Sequence, residues 1–266
     1  MTAEGMTAEG LLQQGKLYAA LEALTGQVKA KPADAANRVF LFQVLVVLGQ
    51  WERAQTQLEL AGQLDASVAP MVHVYQDVIN CELHRQAVFA GKSKPVIFGK
   101  PEEWLALLVE ALESFSKGNI TAFATLNAQA FEQADARSGK INGEPFAWLA
   151  DADQRLGPVF EVIFNKHYYW VPMSRVRSLR TEEPSDLRDL VWQPAEITLT
   201  NGGEHIVMLP SRYPAIEGVS ESDLLARSTG WESHGEEVYE GIGQRMFTTD
   251  QKDYPFLQVR SIEFDD

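Results

Sequence analysis

Gly15-Lys-Leu-Tyr-Ala-Ala20 returns 34 residues later as Gly49-Gln-Trp-Glu-Arg-Ala54, and this recurrence decides the fold of the first half of the chain. Each copy places a glycine where two helices turn, a bulky apolar residue (Leu17, Trp51) just after it, and an alanine (Ala20, Ala54) where the helices cross closely. A helix-turn-helix unit repeating at about 34 residues is the signature of a tetratricopeptide-like array, a scaffold that binds other chains. Pro32 falls where the second helix of the first unit must stop, because proline cannot continue a helix, and Asp65-Ala66 takes that place in the second.

A degenerate third unit follows. Met71–Phe89 reads as one helix with an apolar stripe at Val72, Tyr75, Ile79, Leu83 and Val88, and Gly91–Pro101 interrupts it as a loop. Glu102–Lys117 is strongly amphipathic, with Trp104, Leu105, Leu108, Leu112 and Phe115 at helical spacing, and after Gly118 an Ala-rich helix runs from Ile120 to about Ala134. Solenoids usually need three or more repeats, so an array this short needs a partner for its last apolar face.

The composition shifts near Ser138, from Ala, Leu and Gln to Trp, Tyr, Pro and alternating patterns, so two domains are expected, 11–138 and 139–266. Charge divides unevenly: 11 basic against 15 acidic residues up to position 138, and 12 against 22 beyond, net −4 and −10. A chain of net charge −14 without clustered Lys or Arg repels phosphate backbones, which argues against nucleic-acid binding. Cys81 is the only cysteine, so no intramolecular disulfide forms and a buried inert thiol is expected. Met-Thr-Ala-Glu-Gly occurs twice, at 1–5 and 6–10; it lacks the basic and apolar regions of a secretory signal and is set aside from the fold. The apolar run Val39–Leu48, broken by Gln43, is too short to span a bilayer, and a cytoplasmic location is expected.

From Val159 the pattern is extended. Strands are expected at Val159–Phe164, Tyr168–Val171, Arg175–Leu179, Gly243–Thr248 and Phe256–Phe264, with Ser-capped helical turns at Ser185–Asp189 and Ser222–Arg227. The clearest hairpin is Ile197–Leu209, where Asn201-Gly202 suits the positive φ angles of a tight turn. The expected fold is therefore a tetratricopeptide-like α-hairpin stack followed by a small β-rich domain, a curved sheet or open barrel.

Few residues suggest chemistry. Asp151 and Asp153 are spaced for acid-base work or a divalent metal, with Glu161 and His167 nearby, but capping or a salt bridge to Arg155 is the stronger reading. His73 and His84 stand about 16 Å apart along a helix, too far to share a metal. Gly91-Lys92-Ser93 lacks the first glycine of a phosphate loop, and Gly241-Ile-Gly243 lacks the third glycine of a dinucleotide fingerprint. No catalytic residue, cofactor or metal is assigned. Arg175 and Arg177 are expected to share one strand face and, with Arg180, to form a basic stripe in an acidic domain, paired with Glu182, Glu183 or Asp186 or touching an acidic partner.

Several ordered strings in the second half resemble the ImpE (SciE) family: WLADADQRLGPVFEVI from Trp148, YYWVP from Tyr168, DLRDLVWQPA from Asp186, NGGE from Asn201, SRYP from Ser211, GQRM from Gly243 and DYP from Asp253. The resemblance extends back to about Leu11 and includes EWLALLVEAL in the first half. It implies a helical part followed by a β-rich part, and a cytoplasmic accessory protein of the bacterial type VI secretion system, without catalysis. It further implies binding of the small sheath subunit through that subunit's N-terminal helix, and an indirect link to the AAA+ ATPase that recycles the sheath. A stack of helical hairpins accepts such a helix in its concave face, where Arg38, Phe42 and Leu45 lie on or beneath the groove, with Phe42 and Leu45 equally readable as core. A general peptide-binding chaperone, and a metal-dependent enzyme at Asp151, Asp153 and His167, are the alternatives.

Overall fold

The structure, a computed structural model, describes residues 7–100 and 102–265. Seven helices dominate the first half of the described residues: α1 (Ala8–Gln13), α2 (Leu17–Ala30), α3 (Ala35–Val47), α4 (Trp51–Leu64), α5 (Ala69–Phe89), α6 (Glu103–Ser116) and α7 (Ile120–Gln133). Gly15, Gly49 and Gly118 end the turns before α2, α4 and α7 with φ of +77°, +68° and +74°, a left-handed conformation that glycine adopts without steric cost. Leu17 and Trp51 start the following helices, and Ala20 and Ala54 are fully buried where neighbouring helices approach. Asp34 and Asn119 cap α3 and α7 by accepting from the backbone N–H groups of Asn37 and Ala122.

The second Met-Thr-Ala-Glu-Gly copy belongs to the fold, contrary to the expectation that it stands apart. Thr7 caps α1 by accepting from Gly10 N, and Ala8 is fully buried; residues 1–6, the first copy and the Met of the second, lie outside the described residues.

The rest of the chain is rich in strand. One sheet of nine strands contains β1 (Val96–Ile97), β2 (Gly139–Ile141), β3 (Glu144–Phe146), β5 (Val159–Phe164), β6 (His167–Pro172), β7 (Val176–Thr181), β8 (Trp192–Leu199), β9 (Glu204–Pro210) and β14 (Ser261–Phe264), ordered β1-β6-β5-β9-β8-β7-β14-β2-β3. Only β1 to β6 is parallel among its pairings. A three-stranded sheet joins β4 (Leu149–Asp151), β12 (Met246–Thr249) and β13 (Asp253–Pro255), and β10 (Thr229–Gly235) pairs with β11 (Val238–Gly243). The short helix α8 spans Glu221–Leu224.

The β8–β9 hairpin forms as expected around Asn201-Gly202, with Gly202 at φ +85°. Two expectations are corrected. The 91–101 insert contributes β1, because Val96 and Ile97 pair with Tyr169 and Trp170. The strand expected from Arg175 starts at Val176, since Met173–Arg175 is a 3-10 turn and a register shift between Val176 and Ser178 breaks the alternation. Arg175 and Arg177 therefore do not share a strand face.

Strand β5 shows how the layers meet. Its residues Val159, Glu161 and Ile163 alternate with Phe160 and Val162, and all five are buried. Val159 and Ile163 join a core made with the helices, which also takes Tyr168, Trp170 and Trp192. Phe160 and Val162 join a second core with Phe247, Tyr254 and Ile262. The helices and the large sheet thus share one apolar core, while the sheet's other face packs against further strands.

Candidate functional site

Strand alternation aims Glu161 at the helical layer, where a carboxylate cannot stay without partners. Four donors reach it. Arg85 of α5 donates from Nε at 2.7 Å and from Nη2 at 3.1 Å, and Tyr168 Oη and Arg245 Nη2 also donate. Trp170 Nε1 donates to Tyr168 Oη at 2.7 Å, and burial beside this group pushes the Tyr168 phenol well up. Arg85 also reaches Glu82 at 3.1 Å, and the other oxygen of Glu82 accepts from Trp192 Nε1 at 3.0 Å. Arg85, Glu161 and Arg245 are all nearly inaccessible to solvent.

The cluster continues into the smaller sheet. Asp151 on β4 accepts from Tyr213 Oη and from Asp153 N, each at 2.9 Å, and its second oxygen lies 3.5 Å from Arg245 Nε without a hydrogen bond. Burial dominates there and raises the Asp151 carboxyl to about 6, while it lowers Arg245 to about 10. Asp153 is equally buried, but Arg155 and the Gly241 N–H hold its carboxyl below the usual range. Arg155 turns its remaining nitrogen to Glu240 of β11, with its guanidinium 5.1 Å from the Phe89 ring centre. The Arg212 guanidinium donates to the carbonyls of Leu224 and Val46, and desolvation brings it to about 10. A cavity of about 120 Å³ beside it, lined by Trp51, Glu82, Arg85, Arg212 and Tyr213 among others, is smaller than the roughly 300 Å³ of ordinary small-molecule pockets.

Chemically the cluster is a fastener. Glu82, Asp153 and Glu161 are each hydrogen-bonded by a guanidinium, and Asp151 is held by the Tyr213 hydroxyl with Arg245 beside it. The expected salt bridge of Asp153 to Arg155 is present at 2.5 Å. His167, the third member of the metal-enzyme alternative, is exposed at the start of β6 with Nδ1 on Asn165 O at 2.7 Å, whereas Asp151 and Asp153 are buried against arginines. The three do not form one centre.

The expected contact residues are dispersed. Phe42 and Leu45 lie in the core of α3, Phe42 edge-on to Tyr75 at 5.8 Å, and Tyr75 in turn packs on Trp192 at 6.2 Å. The inner side of α3 is covered by the chain's own 186–192 segment, where Asp186 accepts from Gln43 at 3.0 Å. Arg38 is half-buried at the start of α3, donating to Pro32 O at 2.9 Å and to Gln57 of α4 at 2.8 Å. Arg175 is held by Glu102 at 2.9 Å and by the carbonyls of Phe98 and Lys100, and Arg177 is exposed on β7.

Sequence reasoning missed Glu82, Arg85, Arg212 and Arg245. For α5 the signal existed: Tyr75, Val78, Glu82, Arg85 and Phe89 follow the three-and-four spacing of one helix face and are all buried, whereas Leu83 is exposed. Charged residues in phase with an apolar stripe mark buried pairs. Arg212 and Arg245 lie in loops and give no such signal.

The comparisons with known proteins fit this picture. A family model described as ImpE protein matches residues 143–263. The Pseudomonas aeruginosa protein described as type VI secretion system accessory component TagJ is 50% identical over 261 residues, covering 98% of this chain and 92% of that one. The crystal structure of protein VPA1032 from Vibrio parahaemolyticus superposes with a TM-score of 0.90 at 25% identity, over 97% of each chain. No helix among the described residues is long and apolar enough to cross a membrane.

Proposed function

The chain belongs to the ImpE family, and from that premise we propose that it is a non-enzymatic accessory component of a bacterial type VI secretion system, working in the cytoplasm as an adaptor. The observation that carries this is the 50% identity, along nearly the whole chain, to a protein described as such a component. The buried charge cluster agrees with it, because its acids and bases are used to join helices to sheet.

In this reading the helical part, 11–138, is a tetratricopeptide-like platform and 139–266 is the domain that closes it. The partner is the small subunit of the contractile sheath, bound through its N-terminal helix, and the AAA+ ATPase that recycles the sheath is engaged only indirectly. An amphipathic helix laid against stacked hairpins would meet Arg38 near the start of α3, where it reaches Gln57 of α4, with Phe42 and Leu45 fixing α3 from beneath. Arg175 and Arg177 are proposed as a second contact for acidic groups, Arg175 from its anchored place beside Glu102 and Arg177 from the surface of β7.

The test uses the full chain and a synthetic peptide copying the sheath subunit's N-terminal helix, with titration calorimetry as readout. We expect saturable one-to-one binding that Arg38→Glu weakens while the circular dichroism spectrum is unchanged. Absence of binding to the peptide and to the whole small subunit sinks the partner assignment; binding that ignores Arg38→Glu sinks the surface.

A further inference from the structure

The β10–β11 hairpin carries Glu232, Glu236, Glu237 and Glu240 between residues 229 and 243, and no Lys or Arg. Its register sets Glu232 directly opposite Glu240, so two carboxylates share one face of the ribbon, an arrangement that like-charge repulsion disfavours. His234 sits at the register shift between Ser233 and Gly235, where the bulge re-aims its side chain, and its Nε2 is 3.0 Å from Glu240 Oε2. One ligand atom from each of the three side chains lies within 4.8 Å of the others.

The contact of His234 with Glu240 is one-to-one. Glu232 makes no hydrogen bond or ion pair among the described residues, so its charge facing Glu240 is unanswered. The two inner groups are held in place: Glu240 is 8% exposed and its other oxygen is bound by Arg155, itself paired with Asp153, while the His234 ring stands edge-on to Phe115 at 4.9 Å. Metal sites are commonly supported in this way, by outer groups that orient the ligands.

We propose that Glu232, His234 and Glu240 form a binding site for a divalent transition ion, represented by Zn²⁺, which staples the hairpin to the buried cluster at Arg155. One imidazole nitrogen with two carboxylate oxygens suits this class, whereas Mg²⁺ and Ca²⁺ prefer oxygen alone. Ligand distances of about 2.0–2.2 Å place neighbouring donor atoms roughly 3.3 Å apart, so the three groups close together slightly on binding, and the exposed Glu232 carboxylate is the one free to move. The ion is structural and the site is independent of the sheath-binding proposal.

The experiment titrates Zn²⁺ into the full chain after chelator treatment and buffer exchange, and repeats the titration with Glu232→Gln, His234→Gln and, for the wild type, Mg²⁺. We expect one Zn²⁺ per chain, a rise in melting temperature on binding, and no saturable uptake of Mg²⁺. Each variant should bind at least about tenfold more weakly, a loss already typical when only an outer partner of a ligand is removed. Substituting Co²⁺ gives a visible absorption band that disappears in His234→Gln. No stoichiometric Zn²⁺ binding, or the same affinity in both variants, overturns the proposal, as does equal uptake of Mg²⁺, the mark of diffuse acidic attraction. Should His234→Gln fold poorly, Glu232→Gln decides alone, since Glu232 is exposed and unbonded.

Discussion

Glu161→Gln is expected to be among the most damaging nearly isosteric changes in this chain. Glu161 is 0% exposed and accepts from Arg85 twice, from Tyr168 and from Arg245. The amide keeps one acceptor oxygen but presents a donor where donors already converge, and it leaves two guanidinium groups facing each other without the charge between them. Removing one partner of a buried pair costs about 3–5 kcal/mol, a large part of the roughly 5–15 kcal/mol that holds a typical domain folded. At about 2–4 °C per kcal/mol for chains of this size, the melting temperature falls by about 6–20 °C.

Urea unfolding followed by far-ultraviolet circular dichroism and by tryptophan fluorescence is the assay. The midpoint should move while the slope stays constant, because the surface exposed on unfolding is unchanged. Both probes should move together, since one core joins the helices to Trp170 and Trp192. Combining Arg85→Met with Glu161→Gln should cost less than the sum of the two, because each alone strands a charge that the other change removes. Glu113→Gln, which breaks the exposed Lys117 pair, is the control and should have no measurable effect. A loss for Glu161→Gln below about 1 kcal/mol, the range of surface pairs, would refute the view that this cluster fastens the two layers.

Asp151 should give stability an unusual pH dependence. Its carboxyl is raised to about 6 in the fold from 3.8, so between those values the folded chain keeps a proton that the unfolded chain has released; its contribution therefore falls as pH rises through this window and is level above it. Asp151→Asn should remove that slope in urea titrations from pH 4 to 7, and an unaltered slope would count against the assignment. Gly157 has φ +56° and a Cβ there would meet the Phe131 ring at 2.3 Å; Gly157→Ala should cost about 1–2 kcal/mol from the backbone alone, more if the half-exposed ring cannot swing away, measured by thermal melting. Cys81 is buried and its thiol is pushed up to about 11, so disulfide-exchange reagents should label it slowly in the native chain and fast in urea; fast native labelling would contradict its burial.

What was legible in the sequence was local. Gly15, Gly49 and Gly118 fixed three helix starts because only a left-handed turn fits there, and Asn201-Gly202 fixed a hairpin because two residues had to reverse the chain. The strands β1, β2, β3, β4, β10, β11 and β13 were not seen. Five of them have only two or three residues each, and β10, Thr-Gly-Trp-Glu-Ser-His-Gly, has a single β-branched residue and no clean alternation. Arg175 was placed on a strand because period two was extended past a 3-10 turn that leaves no apolar signature. The cluster itself was invisible for a different reason: Arg85, Glu161 and Arg245 are far apart in sequence, and only the packing of α5 on the sheet brings them together.

The strings that carry the family resemblance can now be read physically. WLADADQR supplies Asp151, Asp153 and Arg155, PVFEVI supplies Glu161, YYWVP supplies Tyr168 and Trp170, VWQP supplies Trp192, SRYP supplies Arg212 and Tyr213, and GQRM supplies Arg245. Each string thus delivers a residue that is nearly inaccessible and bonded within one cluster or against it. A partner cannot touch side chains that solvent cannot touch, so the buried members of these strings specify how the β-rich part closes over α3 and α5. Trp192 on Trp51 at 5.6 Å and Glu161 on Arg85 do for this short stack what a further repeat does in a long one: they bury its last apolar face. The side chains left open to a partner are the exposed ones, inside the strings as at Trp148 or outside them as at Arg177.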